Sequence, residues 1–178
     1  MQTKPRSFFL IILTIFFTFG FAACTTTVKP VYILRHAERG YGSDPDLTTA
    51  GQTRAEELKR ILKNVPVTVI YSTDTNRTRQ TAQPLADDKN LNVQIYSGTA
   101  VADTILAGSD ENIYVVLGHS ETVPQLITAF GGTPPYAQIP GNEFDNLFLL
   151  IVKKKKTSSG GTTLSTRVLH MKYGSVTN

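Results

Sequence analysis

At 178 residues with 40% apolar content, the chain has material for one ordinary domain with a proper core and too little for two. Its formal net charge is +4, from 18 Lys and Arg against 14 Asp and Glu, and two of the positives, Lys4 and Arg6, precede the first apolar run. So slight a surplus, with no basic stripe interleaved with aromatics, excludes a dedicated nucleic-acid binder.

Lys4 and Arg6, an apolar stretch over residues 8–21 and the small pair Ala22-Ala23 have the layout of an export signal. The apolar stretch falls short of the ~20 residues a comfortable membrane span needs, so residues 1–23 are expected to be removed and not folded. Phe21-Ala22-Ala23-Cys24 resembles the bacterial lipobox, with Phe21 where Leu is more usual. Cys24 is the only cysteine, which rules out an intrachain disulfide, and acylation gives its position a reason. The alternative is an incidental thiol beside an ordinary signal cleavage. The resemblance implies a lipoprotein on the periplasmic face of a bacterial membrane, anchored through lipid on Cys24; without acylation the protein is secreted or periplasmic and soluble. Residues 24–30 then read as a polar tether and residues 31–178 as one domain.

Four short apolar runs, at residues 31–34, 67–71, 93–96 and 113–117, have the composition of buried strands. Between them lie amphipathic segments. Over residues 49–62, Ala55, Leu58, Ile61 and Leu62 fall on one face, and Thr49-x-x-Gln52 has the form of a capping box. Residues 76–88 read as a second helix with Ser72 and Asp74 as possible caps, and Pro84 inside it predicts a kink or an early stop. A third helix is expected over residues 120–130, opened by Ser120 and closed by Gly131-Gly132. Residues 146–152 and 162–171 have strand character and predict a terminal hairpin, with Lys153 to Lys156 beginning its loop as a solvated edge that discourages strand addition. The alternation of strands and helices predicts an α/β fold: a three-layer α/β/α sandwich with a mostly parallel sheet and an antiparallel hairpin at one edge.

Chemistry in an open parallel sheet lies beyond the carboxyl ends of its strands. The first run leads into Arg35-His36-Ala37-Glu38, the second into a stretch containing Arg77 and Arg79, and the fourth into Gly118-His119-Ser120. Two histidines and at least two arginines therefore converge on one edge. Neutral imidazole is a competent nucleophile and guanidinium pairs well with phosphate oxygens, so the set suits phosphoryl transfer. Gly118 is expected to let the backbone approach an anion, and the helix opening at Ser120 to direct its amides there. Only three histidines are present, and no carboxylate cluster completes a ligand set, so no metal and no other cofactor is expected.

Leu34-Arg35-His36-Ala37-Glu38 resembles the first motif of the histidine phosphatase superfamily, the phosphoglycerate-mutase-like enzymes. The Leu47 to Ala55 stretch is similar to that family's first helix, the Tyr71 to Ala82 stretch to its second motif, and Gly118-His119-Ser120 to its third. The resemblance covers residues 31–120 and implies that His36 accepts the phosphoryl group while Arg35, Arg77 and His119 bind its oxygens. Arg79, on a different face of the helix from Arg77, is expected in a surface ion pair. Candidates for the acid that protonates the leaving oxygen are Glu38, Asp44, Asp46, Asp103 and Glu121, with Glu121 preferred for its place beside the second histidine. The sixteen residues 97–112, where relatives carry a substrate-covering insertion, leave room only for a small cap. This favours a phosphatase acting on a phosphorylated small molecule or a phosphoprotein. The alternatives are mutase-type phosphotransfer and a non-catalytic phosphate-binding or envelope interaction lipoprotein.

Overall fold

The structure, a computed structural model, describes residues 26–157 and 161–177. The export signal and Cys24 lie outside the described residues. In chain order the elements are β1 (Thr26–Arg35), α1 (Thr49–Leu62), β2 (Val69–Thr73), α2 (Asn76–Lys89), β3 (Val93–Tyr96), α3 (Val101–Ala107), β4 (Tyr114–Gly118), α4 (Thr122–Ala129), β5 (Asn146–Lys156) and β6 (Thr162–Lys172). They form one six-stranded sheet of order β3-β2-β4-β1-β5-β6, parallel from β3 to β1 and antiparallel through the β5-β6 hairpin at the edge.

The period-2 geometry of the strands divides the core into two layers. Val31 and Ile33 of β1 and Tyr114 and Val116 of β4 join Val101, Ile105, Leu126 and Ile127 of α3 and α4 on one face. Leu34, Val115 and Leu117 join Leu58 and Leu62 of α1 and Ala82 and Leu85 of α2 on the other. Strands covered on both faces must be apolar at successive positions, which is why the central runs lack polar alternation.

Helix α1 matches its expected span, but its cap lies one residue earlier: the Thr48 hydroxyl accepts from the Gly51 amide at 3.2 Å, and Gln52 closes no box. A Cβ on Gly51 would stand 2.0 Å from the Glu38 carbonyl oxygen, so only glycine lets the helix start lie against the chain leaving β1. Helix α2 is capped across space, by the Asp44 carboxylate on the Asn76 amide at 2.9 Å, and not by Ser72 or Asp74. Nor does Pro84 stop it. The helix runs to Lys89 because Ala82, Leu85 and Ala86 on either side of the proline are fully buried against the sheet and hold the turn that has lost a hydrogen bond.

Two expectations for the chain's ends are corrected. Residues 26–30, read as tether, form the first half of β1 and pair with β5 from Thr26 opposite Lys155 to Pro30 opposite Ile151. Lys29 is only 1% exposed, with its ammonium bonded to the Ile105 carbonyl at 3.2 Å and to Asp110 at 3.0 Å, and also to the Gly108 carbonyl. It thereby satisfies carbonyls at the α3 C-terminus, where positive charge is favoured. Lys153 to Lys156 likewise do not begin a loop. They extend β5, which is paired on both sides, so the exposed edge they were expected to protect belongs to β6.

Candidate active site

Strands β1, β2 and β4 end at the same rim of the sheet, with Arg35 level with Gly118 and Ser72 with Leu117. The chain continuing from β1 stays on β4 for one more bond, His36 N–H to the Gly118 carbonyl at 3.0 Å, and the Ala37 amide donates to the Thr81 hydroxyl of α2 at 3.0 Å. These bonds hold the first motif between two elements. The His36 ring is 3% exposed and meets the His119 ring edge-on, with centroids 5.4 Å apart. The two imidazoles therefore share one pocket.

The tautomer of His36 follows from its partner. Its Nδ1 lies 2.7 Å from the Ala37 carbonyl, which can only accept, so Nδ1 carries the proton and Nε2 keeps its lone pair. Burial pulls the His36 pKa down to about 3, the Ala37 carbonyl opposes the shift, and the charges of Arg35, His119 and Arg77 lower it further. The ring is neutral throughout the physiological range. The sign for stability is fixed by the same shift: in the unfolded chain His36 takes up a proton near pH 6.5, while in the fold it stays neutral to about 3. Stability therefore declines as pH falls through that window, by up to about 1.4 kcal/mol per unit from this group. Urea unfolding at pH 7 and pH 5 is expected to show a larger loss for the wild type than for His36→Gln.

His119 is oriented from two sides. Its Nε2 lies 3.0 Å from the Thr73 hydroxyl, and an Arg77 Nη reaches Nδ1 at 3.5 Å. Burial and then Arg77 lower its pKa. Arg77 stands in the first turn of α2, 17% exposed, with a second Nη 3.3 Å from Asp44. Arg35 is 7% exposed; one Nη donates to the carbonyls of Pro140, Gly141 and Glu143 at 2.9 to 3.0 Å, and its guanidinium lies 4.3 Å from the Phe144 ring centroid. Among the described residues, the buried Nε groups of Arg35 and Arg77 have no hydrogen-bond partner. Orphaned buried donors are costly, and two charged ones around paired histidines fit an anionic ligand.

Other expected residues also make local contacts. Gly118 is buried at the end of β4, and a Cβ there would lie 2.6 Å from the Thr122 hydroxyl and 3.0 Å from the Tyr96 hydroxyl, so a larger residue would displace the Thr122 side chain. Helix α4 opens at Thr122, two residues after the position expected, because the Thr122 hydroxyl accepts from the His119 amide at 2.6 Å and closes the turn there. Ser120 donates to the Glu121 carboxylate at 2.8 Å, and its carbonyl accepts from the Ile139 amide at 2.9 Å. The Glu121 pKa is lowered: burial opposes the shift, while the Ser120 hydrogen bond and the charges of His119 and Arg35 favour the carboxylate.

Glu38 is held by Arg54, Asp46 accepts from Gln80 at 2.7 Å, and Asp44 caps α2, so these three carboxylates have structural partners. Arg79 makes the expected surface pair with Asp74 and bonds Asn76 at 2.8 Å. His170 stacks on Phe148, with centroids 4.7 Å apart, and bonds Asn146 at 2.7 Å. No group of three or more His, Cys, Asp or Glu among the described residues could hold a metal.

Phe144 and Thr73 are components that sequence reasoning did not select. The Phe144 ring lies 6.0 Å from the His36 ring, and it arrives on the loop preceding β5, far along the chain from the first motif. Thr73 stood within the second motif, but nothing in the sequence distinguished its hydroxyl from those of Thr75 and Thr78.

Residues 31–100 match the family model of the Histidine phosphatase superfamily (branch 1), a stretch that contains Arg35, His36 and Arg77. No curated protein matches the chain. Among solved structures, the protein histidine phosphatase SixA complexed with tungstate is 22% identical, with a TM-score of 0.56 over 80% of this chain and 96% of that one. Mycobacterial hydrolase 2 is 14% identical, with a TM-score of 0.64 over 84% and 93%. A mycobacterial glucosyl-3-phosphoglycerate phosphatase is 15% identical, with a TM-score of 0.55 over 79% and 98%. The chain has the fold of these proteins, and its residues 31–100 are similar to the histidine phosphatase superfamily.

Proposed function

We propose that the protein is a phosphatase that hydrolyses a phosphomonoester or phosphoprotein group through a phosphohistidine on His36. The observation that carries this reading is a buried, neutral imidazole with its Nε2 lone pair uncommitted, beside a second histidine and two arginines whose Nε donors lack partners. His36 Nε2 attacks phosphorus in line with the ester oxygen. As the P–N bond forms, the P–O bond breaks and the leaving oxygen takes a proton. Water then attacks the phosphohistidine, releasing inorganic phosphate and returning the imidazole with its lone pair at Nε2.

Arg35 and Arg77 balance the charge on the phosphoryl oxygens, and His119 adds a donor once the incoming dianion offsets the burial that lowers its pKa. Glu121 is the acid of this proposal. Its carboxyl is held below the usual range in the free protein, so it must gain its proton as the phosphoryl charge arrives. The residues 97–112 hold only the seven-residue α3 and no long substrate-covering insertion, which favours hydrolysis over a mutase that must shield its phosphohistidine. Turnover of an aryl phosphate by wild type and His36→Ala tests the reading.

Export and acylation at Cys24 belong to the same proposal. Thr26 and Arg35 occupy opposite ends of β1, roughly 30 Å apart at ~3.3 Å per residue, so an anchor at Cys24 holds the domain by the end remote from the pocket. Labelled fatty acid is expected to enter the full-length wild type in bacteria and not Cys24→Ala. Labelling of neither protein would indicate simple secretion.

A further inference from the structure

A second cavity adjoins the catalytic pocket, and no role described so far uses it. It has a volume of about 440 Å³ and is lined by Arg35, Arg39, Tyr41, Thr48, Gly141 and Phe144, with no carboxylate in its wall. Arg35 and Phe144 face both spaces, since Phe144 packs beside His36 and under the Arg35 guanidinium. A group bound in this cavity is therefore next to a phosphoryl group bound by Arg35.

Arg39 gives the cavity its character. Its side chain is exposed and, among the described residues, bonds only the Gly40 carbonyl, at 3.2 Å. Among the described residues no carboxylate pairs with it, whereas Arg54, Arg60, Arg77 and Arg79 each have an acidic partner. Its charge reaches the site: burial is the main cause of the lowered pKa of Arg35 and of His119, and Arg39 lowers both further. Its backbone is fixed: Arg39 bridges to Leu47, the Gly40 amide bonds the Asp46 carbonyl at 2.9 Å, and the Thr48 amide bonds the Glu38 carbonyl at 2.9 Å. A guanidinium held beside a second guanidinium, with no acid between them, raises the local potential and favours an anion more strongly than either alone.

We propose that this cavity is a leaving-group subsite, and that the substrate is a small phosphomonoester carrying a second anionic group, bound by Arg39 with Phe144 as a flanking aromatic face. The proposal rests on the phosphatase reading. It is tested with phenyl phosphate against its 3-carboxy and 4-carboxy derivatives, using wild type, Arg39→Ala and Arg39→Lys. Wild type is expected to turn over at least one carboxylated ester with about ten-fold higher kcat/KM than phenyl phosphate, as suits one charge-assisted hydrogen bond at a solvent-exposed rim. Arg39→Ala is expected to lose that ratio and Arg39→Lys to keep part of it. The ratio should shrink as salt approaches 1 M, where the screening length is only ~3 Å. Wild-type turnover without preference for either carboxylated ester, as a phosphoprotein-directed site would give, overturns the subsite and leaves the phosphatase reading standing. Equal losses on all three esters in Arg39→Ala do the same. Absence of wild-type turnover with every ester sinks the phosphatase reading and the subsite with it.

Discussion

Replacing His36 with alanine is expected to lower kcat on an aryl phosphate by at least about 1,000-fold, since loss of a nucleophile removes the covalent route entirely. The substitution is informative because the rest of the pocket does not depend on the ring. Arg35 is fixed by the carbonyls of Pro140, Gly141 and Glu143, and Arg77 by Asp44. Backbone bonds at His36 and Ala37 hold the first motif whatever side chain position 36 carries. Inorganic phosphate should therefore still bind His36→Ala, within about ten-fold of wild type by calorimetry, because the guanidiniums supply most of its charge complement. Loss of turnover with retained binding is the signature of a nucleophile. Equal turnover by both proteins would remove His36 as the nucleophile, and turnover by neither would leave only a phosphate-binding module. Rapid quenching in alkali should also trap an acid-labile phosphoryl group on wild type and none on the variant.

The order of strands and helices could be read from the sequence because fully buried strands and one-sided helices leave different periods. Residues 93–96 and 49–62 keep their expected bounds, although β3, expected to be buried, is an edge strand with Ile95 51% exposed. What the sequence hid was mostly long-range pairing. Thr26 to Pro30 look like a tether until β5 supplies eleven residues to pair with, and Lys29 looks solvated until the end of α3 meets it. The α2 cap comes from Asp44, thirty-two positions earlier than the amide it bonds, which no local motif encodes. The site shows the same division. Arg35, His36, Arg77 and His119 lie at strand ends or in the turn just beyond, where topology alone brings them together. Phe144 and Arg39 reach the site on loops, and their contribution emerges only from the path of the backbone.

Arg54→Ala is the substitution expected to damage the fold most, by about 3 to 5 kcal/mol, the usual consequence of leaving one half of a buried ion pair behind. Arg54 is 3% exposed. Its Nε and one Nη donate to the Glu38 carboxylate at 2.8 to 3.0 Å, and its two Nη groups also reach the carbonyls of Tyr173 and Ser175 at 2.7 and 2.8 Å. One guanidinium thus ties the residue two positions beyond His36 to helix α1 and to the chain leaving β6. Burial lowers its pKa, but the Glu38 hydrogen bonds and charge outweigh this and raise it, so the pair is ionised in the fold. Removing the cation leaves Glu38 partly buried and the Tyr173 and Ser175 carbonyls without their donor, and a change confined to stability should follow. Urea unfolding should show a lower midpoint with little change in slope. The folded fraction should retain its affinity for inorganic phosphate, because Arg54 lies behind Glu38 and does not enter the pocket. Arg54→Lys cannot restore the fork to Glu38 and is expected to recover only part of the loss. A stability equal to wild type in Arg54→Ala would mean that the first motif is held by the Gly118 and Thr81 bonds alone.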